Sequence, residues 1–256
     1  MNEQFDRSRI LHEDENCVVV DKRIGEAMEG AKSGVEDLGA LLARALGVRK
    51  NAAGKDFPPT AVHRLDVPVS GCALFARNPQ ALAYLNTVFA EGRARKTYWA
   101  IVEAPQEGQA AGIPAAEIPA AGQTVELVHW LSVDPQTNKS HVHDEEAPDR
   151  KKAVLRYRVV GRGDRYLFVE VELITGRHHQ IRAQLAAAGL RIKGDLKYGA
   201  RRSEKGGGIR LHARSLAFSD FARPESFIQV VAEPPLDDAL WAAFKASAAS
   251  GPGGSS

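Results

Sequence analysis

Residues 60–78 read TAVHRLDVPVSGCALFARN, and the stretch changes character halfway. His63-Arg64-Leu65-Asp66 is a polar kernel. Pro68 and Gly71 mark the next residues as a loop, and Cys72-Ala73-Leu74-Phe75-Ala76 is an apolar run with the length and composition of a buried strand. One carboxylate, Asp66, thus stands on a stiff loop at the entrance to a strand, with a histidine and an arginine just before it. A cation beside a carboxylate favours its charged form at neutral pH. That suits a nucleophile or a general base. It equally suits a loop aspartate capping a turn, and the stretch alone leaves both open.

Outward from this stretch the chain alternates short strands with few helices. Towards the N-terminus, residues 17–20 (CVVV) read as a strand that ends in the turn Asp21-Lys22-Arg23-Ile24-Gly25. Leu38, Leu41, Leu42, Ala45 and Leu46 recur at helical spacing, with Gly47 as a stop. Residues 51–60 form a Gly- and Pro-containing loop that delivers the chain to His63. Beyond the strand, Pro79 fits the first turn of a helix whose apolar face is Leu82, Leu85, Val88 and Phe89. Residues 96–103 (KTYWAIVE) are β-rich, and residues 104–122, dominated by Ala, Pro, Gly and Gln, read as a loop or short insertion. Strands are expected at 124–133, 153–160 and 166–173, with 135–150 as a polar connection. A helix is expected from about Arg177 to Ala188, with Thr175 near its start, Gly189 just past its end and a buried stripe of Ile181, Leu185 and Ala188. Strands at 209–218 and 227–231 and a terminal helix on Leu236, Leu240, Trp241 and Phe244 complete the chain.

Many strands without a βαβ rhythm imply an α+β fold: one domain, residues 10–246, with a mainly antiparallel sheet flanked by helices and loops. Residues 1–9 read as an extension and 247–256, ending in SGPGGSS, as a flexible tail. No internal repeat is visible.

The 256 residues are 44% hydrophobic and 26% charged, ordinary for a soluble protein. No apolar run approaches the roughly 18 residues of a membrane span, and the polar N-terminus lacks the apolar core of a signal peptide, so a cytoplasmic monomer is expected. Cys17 and Cys72 lie in apolar runs and read as small buried hydrophobes, not a disulfide or zinc site. The net charge of +2 hides two basic strips: 191–215 holds eight basic against two acidic residues, and 150–165 holds seven against one. Such strips can be a nucleic-acid footprint or merely a solvated face.

Three further segments carry polar residues with little structural reason. In Arg93-Ala94-Arg95-Lys96-Thr97-Tyr98 a tyrosine opens a strand; it fits a core, and it fits a stacking surface for a base or a proton-transfer group. In Leu173-Ile174-Thr175-Gly176-Arg177-His178-His179-Gln180-Ile181-Arg182 a glycine turn and a helix N-terminus lie beside two arginines and two histidines, an arrangement able to hold an anion. The third is Lys193-Gly194-Asp195-Leu196-Lys197-Tyr198-Gly199 with Ile209-Arg210-Leu211-His212-Ala213 after it, in which Arg210 and His212 point to one side of a strand. His178-His179 and His141-Val142-His143 invite a metal. Adjacent helical residues diverge, however, and no carboxylate or cysteine completes either set, so no metal is expected.

Taken in series, these segments resemble the RluA-type RNA pseudouridine synthases: His63-Arg64-Leu65-Asp66 with Ser70-Gly71, Thr175-Gly176-Arg177 with His179-Gln180-Ile181-Arg182, Gly194-Asp195 with Tyr198-Gly199, and Leu211-His212-Ala213. The similarity covers about residues 10–232. Lys22-Arg23-Ile24-Gly25 resembles the family's lysine-proline-x-glycine turn with Arg23 in place of the usual proline. His178 stands where a small Thr or Ser is commoner, and no S4-like RNA-binding module is seen ahead of the domain. The resemblance implies an isomerase that converts uridine in RNA (rRNA or tRNA) to pseudouridine without cofactor or metal. It implies Asp66 as the catalytic carboxylate, Tyr98 stacked on the target base, and Arg182 paired with Asp66. Leu211 would lie near the base, Arg64 and Arg177 at RNA phosphate or bracing the loop, and His179 among the substrate-binding residues. His63 is then a loop brace. A non-catalytic RNA-binding protein on the same fold and a hydrolase of N-glycosidic bonds are the alternatives.

Overall fold

The structure, a computed structural model, describes residues 5–30, 36–104, 119–120, 122–235 and 237–250. Strands β1 (Ile10–Glu13) and β2 (Cys17–Lys22) precede helix α1 (Leu38–Leu46), the short strands β3 (Arg49–Lys50), β4 (Asp56–Phe57) and β5 (Thr60–Ala61), strand β6 (Ser70–Ala76) and helix α2 (Pro79–Ala90). Then come β7 (Arg95–Glu103), β8 (Thr124–Asp134), β9 (Lys139–His143), β10 (Lys151–Arg162), β11 (Tyr166–Leu173), α3 (Gln180–Ala187), β12 (Leu211–Ser219), β13 (Phe227–Val231) and α4 (Ala239–Ser250). The expected α+β class holds, with β1–β2, β2–β6, β7–β11, β11–β10, β10–β8, β8–β9 and β12–β13 all antiparallel. The contacts divide the chain into two compact units, residues 1–96 with 213–233, and 97–212 with 234–256.

In the first unit β2 pairs with β6 from Cys17–Ala76 to Lys22–Gly71, and β1 pairs with β2. The core packs Cys17, Val19, Cys72 and Leu74 against Leu85 and Val88 of α2 and against Leu216 and Phe218 of β12. Both cysteines are buried, as their apolar surroundings predicted. Helix α2 starts where the sequence placed it, since the Asn78 side chain accepts from the Ala81 amide and Pro79 fills the first position. Helix α1 is capped in the same way by Asp37 and ends at Gly47, whose φ of 80° favours glycine. The loop expected at 51–60 is a small β3–β4 hairpin running into β5.

In the second unit β7, β11, β10, β8 and β9 pair in that order. Cross-strand partners share a face. Tyr98 lies opposite Val171, and Val171 opposite Tyr157, on the face where Ala153 packs on Ala183 of α3. Trp99, Ile101 and Phe168 point the other way, onto Trp241 and Phe244 of α4. One helix thus covers each face. The pairing of β10 and β11 shifts register between Val159 and Gly161, and a Cβ on Gly161 would meet Ser247 of α4 at 2.5 Å. The bulge lets the helix sit directly on the strand.

Four expectations are corrected. The polar connection 135–150 contains β9, which folds back on β8 as a hairpin because Ser140 and Val142 pair with Val133 and Leu131. The helix expected from Arg177 begins only at Gln180, since His179 adopts a left-handed conformation (φ 50°) that interrupts the helical path. Its burial is not a stripe, for every residue from Gln180 to Leu185 is buried and Ala188 is only half so. Helix α4 continues to Ser250, through the first part of the expected tail. Most of the 104–122 loop, Leu236 and residues 251–256 lie outside the described residues. Among the described residues no helix is long and apolar enough to cross a membrane.

Candidate active site

Asp66, half-buried, opens a turn closed by the Val69 amide on its own carbonyl at 3.0 Å. The turn is held from below by Lys22, whose side chain is 0% exposed. Its Nζ donates to the carbonyls of Val67 (3.2 Å), Val69 (2.6 Å) and Arg23 (3.1 Å), while the Gly25 amide donates to Val67 at 2.9 Å. Loss of solvation lowers Lys22 to about 8 against the opposing pull of the Glu26 and Asp66 charges. The turn resembling lysine-proline-x-glycine is therefore the seat of the Asp66 loop, and Arg23, in the proline's place, reaches Asp6 at 3.1 Å.

His63 accepts the Leu74 amide at 3.2 Å through Nε2 and stacks on Phe89 at 5.3 Å. Burial and the nearby Lys96 lower it to about 4, so it is a neutral brace. Arg64 is exposed. Gly71 closes the loop: its φ is 109°, and a Cβ there would sit 2.3 Å from the Ala213 carbonyl oxygen. Only glycine permits that approach.

The second unit carries Tyr98, Arg177, His179, Arg182 and Leu211. Tyr98 is buried on the α3 face of β7. Arg182, 5% exposed, donates through Nε and NH2 to the two carboxylate oxygens of Asp195 at 2.7 and 2.8 Å. This bidentate pair is enclosed, Asp195 being 2% exposed. The guanidinium also lies 5.1 Å over the Tyr198 ring, and the Tyr198 hydroxyl accepts the Ser140 amide at 2.8 Å and lies 3.0 Å from His179 Nδ1. His178 stacks on His179 at 3.8 Å. The Ser140 hydroxyl donates to the His178 carbonyl at 2.6 Å and so accepts from His178 Nδ1 at 2.9 Å. The Nδ1 bond ties the His178 side chain to β9, whereas the bond to its carbonyl does not depend on the side chain.

Arg177 lies before the helix, exposed, with its Nε on the Lys152 carbonyl at 3.0 Å and its amide on Gln180 Oε1 at 2.9 Å. The Arg177 amide is therefore not among the free N–H groups that an anion there would meet. Leu211 is buried, and Arg210 and His212 both approach Trp241 at 6.0 Å, on one side as their alternation predicted. Much of the basic strips is paired: Arg156 with Glu126, Arg158 with Glu170, Arg210 with Glu204 and Asp238, and Arg214 with Glu233.

Sequence reasoning missed Lys22 as a structural clamp and left Asp195 and Tyr198 without roles. A lysine ending a strand whose first four residues are apolar was the available signal for the first.

Among the described residues one cluster has metal-ligating types close together: His12, Asp14 and Cys17. Asp14 Oδ1 accepts the amides of Asn16 and Cys17, and Oδ2 lies 3.0 Å from His12 Nε2. Burial pushes the Cys17 thiol up, disfavouring the thiolate a metal would need. The cluster reads as a turn cap.

In an α+β fold, the first unit thus presents a carboxylate on a clamped turn, and the second holds a buried arginine over a tyrosine ring. Residues 16–187 match the family described as RNA pseudouridylate synthase. The chain is 31% identical over 234 residues to an uncharacterized RNA pseudouridine synthase of Zymomonas mobilis, across 91% of this chain and 95% of that protein. It is 31% identical to the mitochondrial pseudouridylate synthase RPUSD4 of Xenopus tropicalis, across 75% of this chain but 60% of that one. In fold it is similar to human RNA pseudouridylate synthase domain containing 4 (TM-score 0.64, 23% identity, 94% of this chain and 93% of that one) and domain containing 1 (0.66, 20%, 89% and 83%). The chain belongs to the RNA pseudouridylate synthase family, whose members are isomerases that convert uridine to pseudouridine in RNA.

Proposed function

We propose that this chain isomerises particular uridines of structured rRNA or tRNA, with Asp66 as the catalytic carboxylate. The observation that carries this reading is the Lys22 clamp. A buried ammonium on three carbonyls costs solvation that a surface turn has no need of, and it fixes the one turn that presents Asp66.

The reaction breaks C1′–N1, turns the uracil and forms C1′–C5; the C5 proton leaves and N1 takes one up, so no redox partner is required. Asp66 acts either at C1′ or by removing a proton from C2′. Glycosidases use a second carboxylic acid to protonate a poor leaving group. Uracil leaves as a stabilised anion, so a cation serves instead: Arg182, held in orientation by Asp195. Tyr98 supplies a stacking surface for the base once it has left its own stack, at a cost of a few kcal/mol. Leu211 and His179 border the base, and Arg64 and Arg177 take RNA phosphate, which offsets the unstacking.

Asp66→Asn is expected to lower pseudouridine formation by at least ~10²–10⁴-fold while RNA binding persists. Robust activity in that variant rules the assignment out. Free uracil among the products of the wild type would instead identify a hydrolase.

A further inference from the structure

We infer that the α4 face of the second unit holds a separate binding site for the RNA phosphodiester backbone, on the side of the sheet opposite Tyr98. The inference rests on the reading of the chain as an RNA enzyme. A cleft of about 660 Å³ is lined by Arg165, Lys193, Arg201, Arg202, Lys205 and Arg210, against three carboxylates, Glu103, Glu204 and Asp238. Its side of the sheet is set by strand alternation. Glu103 has the parity of Trp99 and Ile101, which pack on α4, whereas Tyr98 has the opposite parity. Tyr166 of the lining shares the face of Phe168, and Arg210 reaches over Trp241 of α4. Sequence motifs of the catalytic site contribute nothing here except Arg210 and Lys193.

The carboxylates are spent on organising the floor. Glu204 pairs with both Lys193 and Arg210, Asp238 pairs with Arg210 at 2.6 Å, and Glu103 with Arg201 at 3.8 Å. Arg165, Arg202 and Lys205 are exposed and have no ion-pair partner among the described residues. The rim therefore presents unneutralised positive charge over a satisfied floor. Within the floor, burial and the Arg210 charge lower Lys193 against the pull of Asp238 and Glu103. The loop after Lys205, Gly206-Gly207-Gly208, runs at φ of 84°, 79° and 82°, and a Cβ on Gly206 or Gly207 would meet nothing within 4 Å. A run without side chains beside the rim leaves room for an extended ligand to pass.

The lining decides the ligand class. Pockets for small molecules are mostly apolar with a few polar groups. This one has a single aromatic ring, Tyr166, already faced by Lys193 at 5.7 Å, and is otherwise charged. Charge without stacking surface suits the repeated phosphates of a strand, which set affinity and position but not sequence. The same chemistry would accept a free nucleotide's phosphates, so the test separates the two.

Binding of a total tRNA fraction and of an rRNA fragment is measured at several salt concentrations for the wild type and for Arg165→Ala/Arg202→Ala/Lys205→Ala, with circular dichroism to check folding. Three lost phosphate contacts are expected to reduce the slope of log K against log salt by about 2. Arg165→Lys/Arg202→Lys, with Lys205 kept, should hold most of the wild-type slope. Neutralising Lys50, Lys55 and Arg93 of the other unit should change it much less. An unchanged slope in the triple alanine variant, or an equal loss in that control, overturns the site. So does a variant that loses binding of uridine monophosphate but keeps that of RNA. If no RNA gains pseudouridine yet the triple variant loses RNA affinity, the cleft stands and the enzymatic reading falls.

Discussion

The segment around Asp66 and the segment around Arg182 hold a charged group in opposite ways. Asp66 sits half-buried on a turn, and its support is applied to the backbone: a buried lysine on three carbonyls, a glycine amide, a neutral histidine on the Leu74 amide. Arg182 is itself buried, and its support is a charge, Asp195, with the Tyr198 ring alongside. In the first region the carboxylate stays half-buried while the chain around it is fixed. In the second the side chain is fixed by a buried carboxylate, so that removing either charge disturbs the other. At neutral pH, removing the lysine clamp of the first region should thus be nearly silent in stability, and breaking the ion pair of the second should not.

The largest effect on folding is expected from Asp195→Ala. Removing one partner of a buried ion pair costs about 3–5 kcal/mol, which chemical denaturation would read directly. A loss below about 1 kcal/mol would mean that Arg182 finds another partner as good. For the same reason Arg182→Ala strands Asp195, so a rate loss in that variant has to be compared with Arg182→Ala/Asp195→Ala before it is assigned to chemistry.

Next is the acid limb. His63 is lowered to about 4 from an ordinary value of 6.5. Below pH 6.5 the unfolded chain therefore binds a proton that the folded chain refuses. Stability contributed by the neutral ring is complete above 6.5 and declines as pH falls towards 4, by up to about 3 kcal/mol. His63→Gln, which keeps an acceptor for Leu74 but does not titrate, should flatten unfolding free energy against pH in that window; an unchanged curve would remove His63 as its cause.

Smallest in stability is Lys22→Met. Burial moves Lys22 from 10.5 to about 8, so its charged form opposes folding by roughly 3 kcal/mol at neutral pH. The Val67 carbonyl keeps the Gly25 amide, and leaving those of Val69 and Arg23 without the lysine costs about 1–3 kcal/mol each. The two nearly offset, and the melting temperature should move little. Turnover should still fall, by up to about 10²-fold, because a carboxylate displaced by an ångström loses its alignment. If Lys22→Met unfolded the protein as readily as Asp195→Ala, the contrast between the regions would collapse.

The strands and helix caps were legible because their causes are local. Pro79 starts α2, Gly47 stops α1, and CVVV and CALFA could be little but buried strands. What failed failed for non-local reasons. β9 exists because residues 139–143 find β8 as a partner, which polarity along the chain conceals. α3 starts late because His179 is drawn into a left-handed conformation, packed on His178 and set against Tyr198. Lys22 reads as a surface residue in any window short enough to scan, since the carbonyls of Val67 and Val69 that receive it lie 45 and 47 residues away.

The sequence by itself determined the fold class and the family, because four motifs in fixed order and the alternation of its strands are one-dimensional facts. Only the tertiary structure decided which charges are already used: that Asp195 holds Arg182, that Lys22 holds the Asp66 turn, and that Arg165, Arg202 and Lys205 stand over a neutralised floor. Ion pairing depends on distances of a few ångströms between residues far apart in the chain, and composition carries no record of those distances.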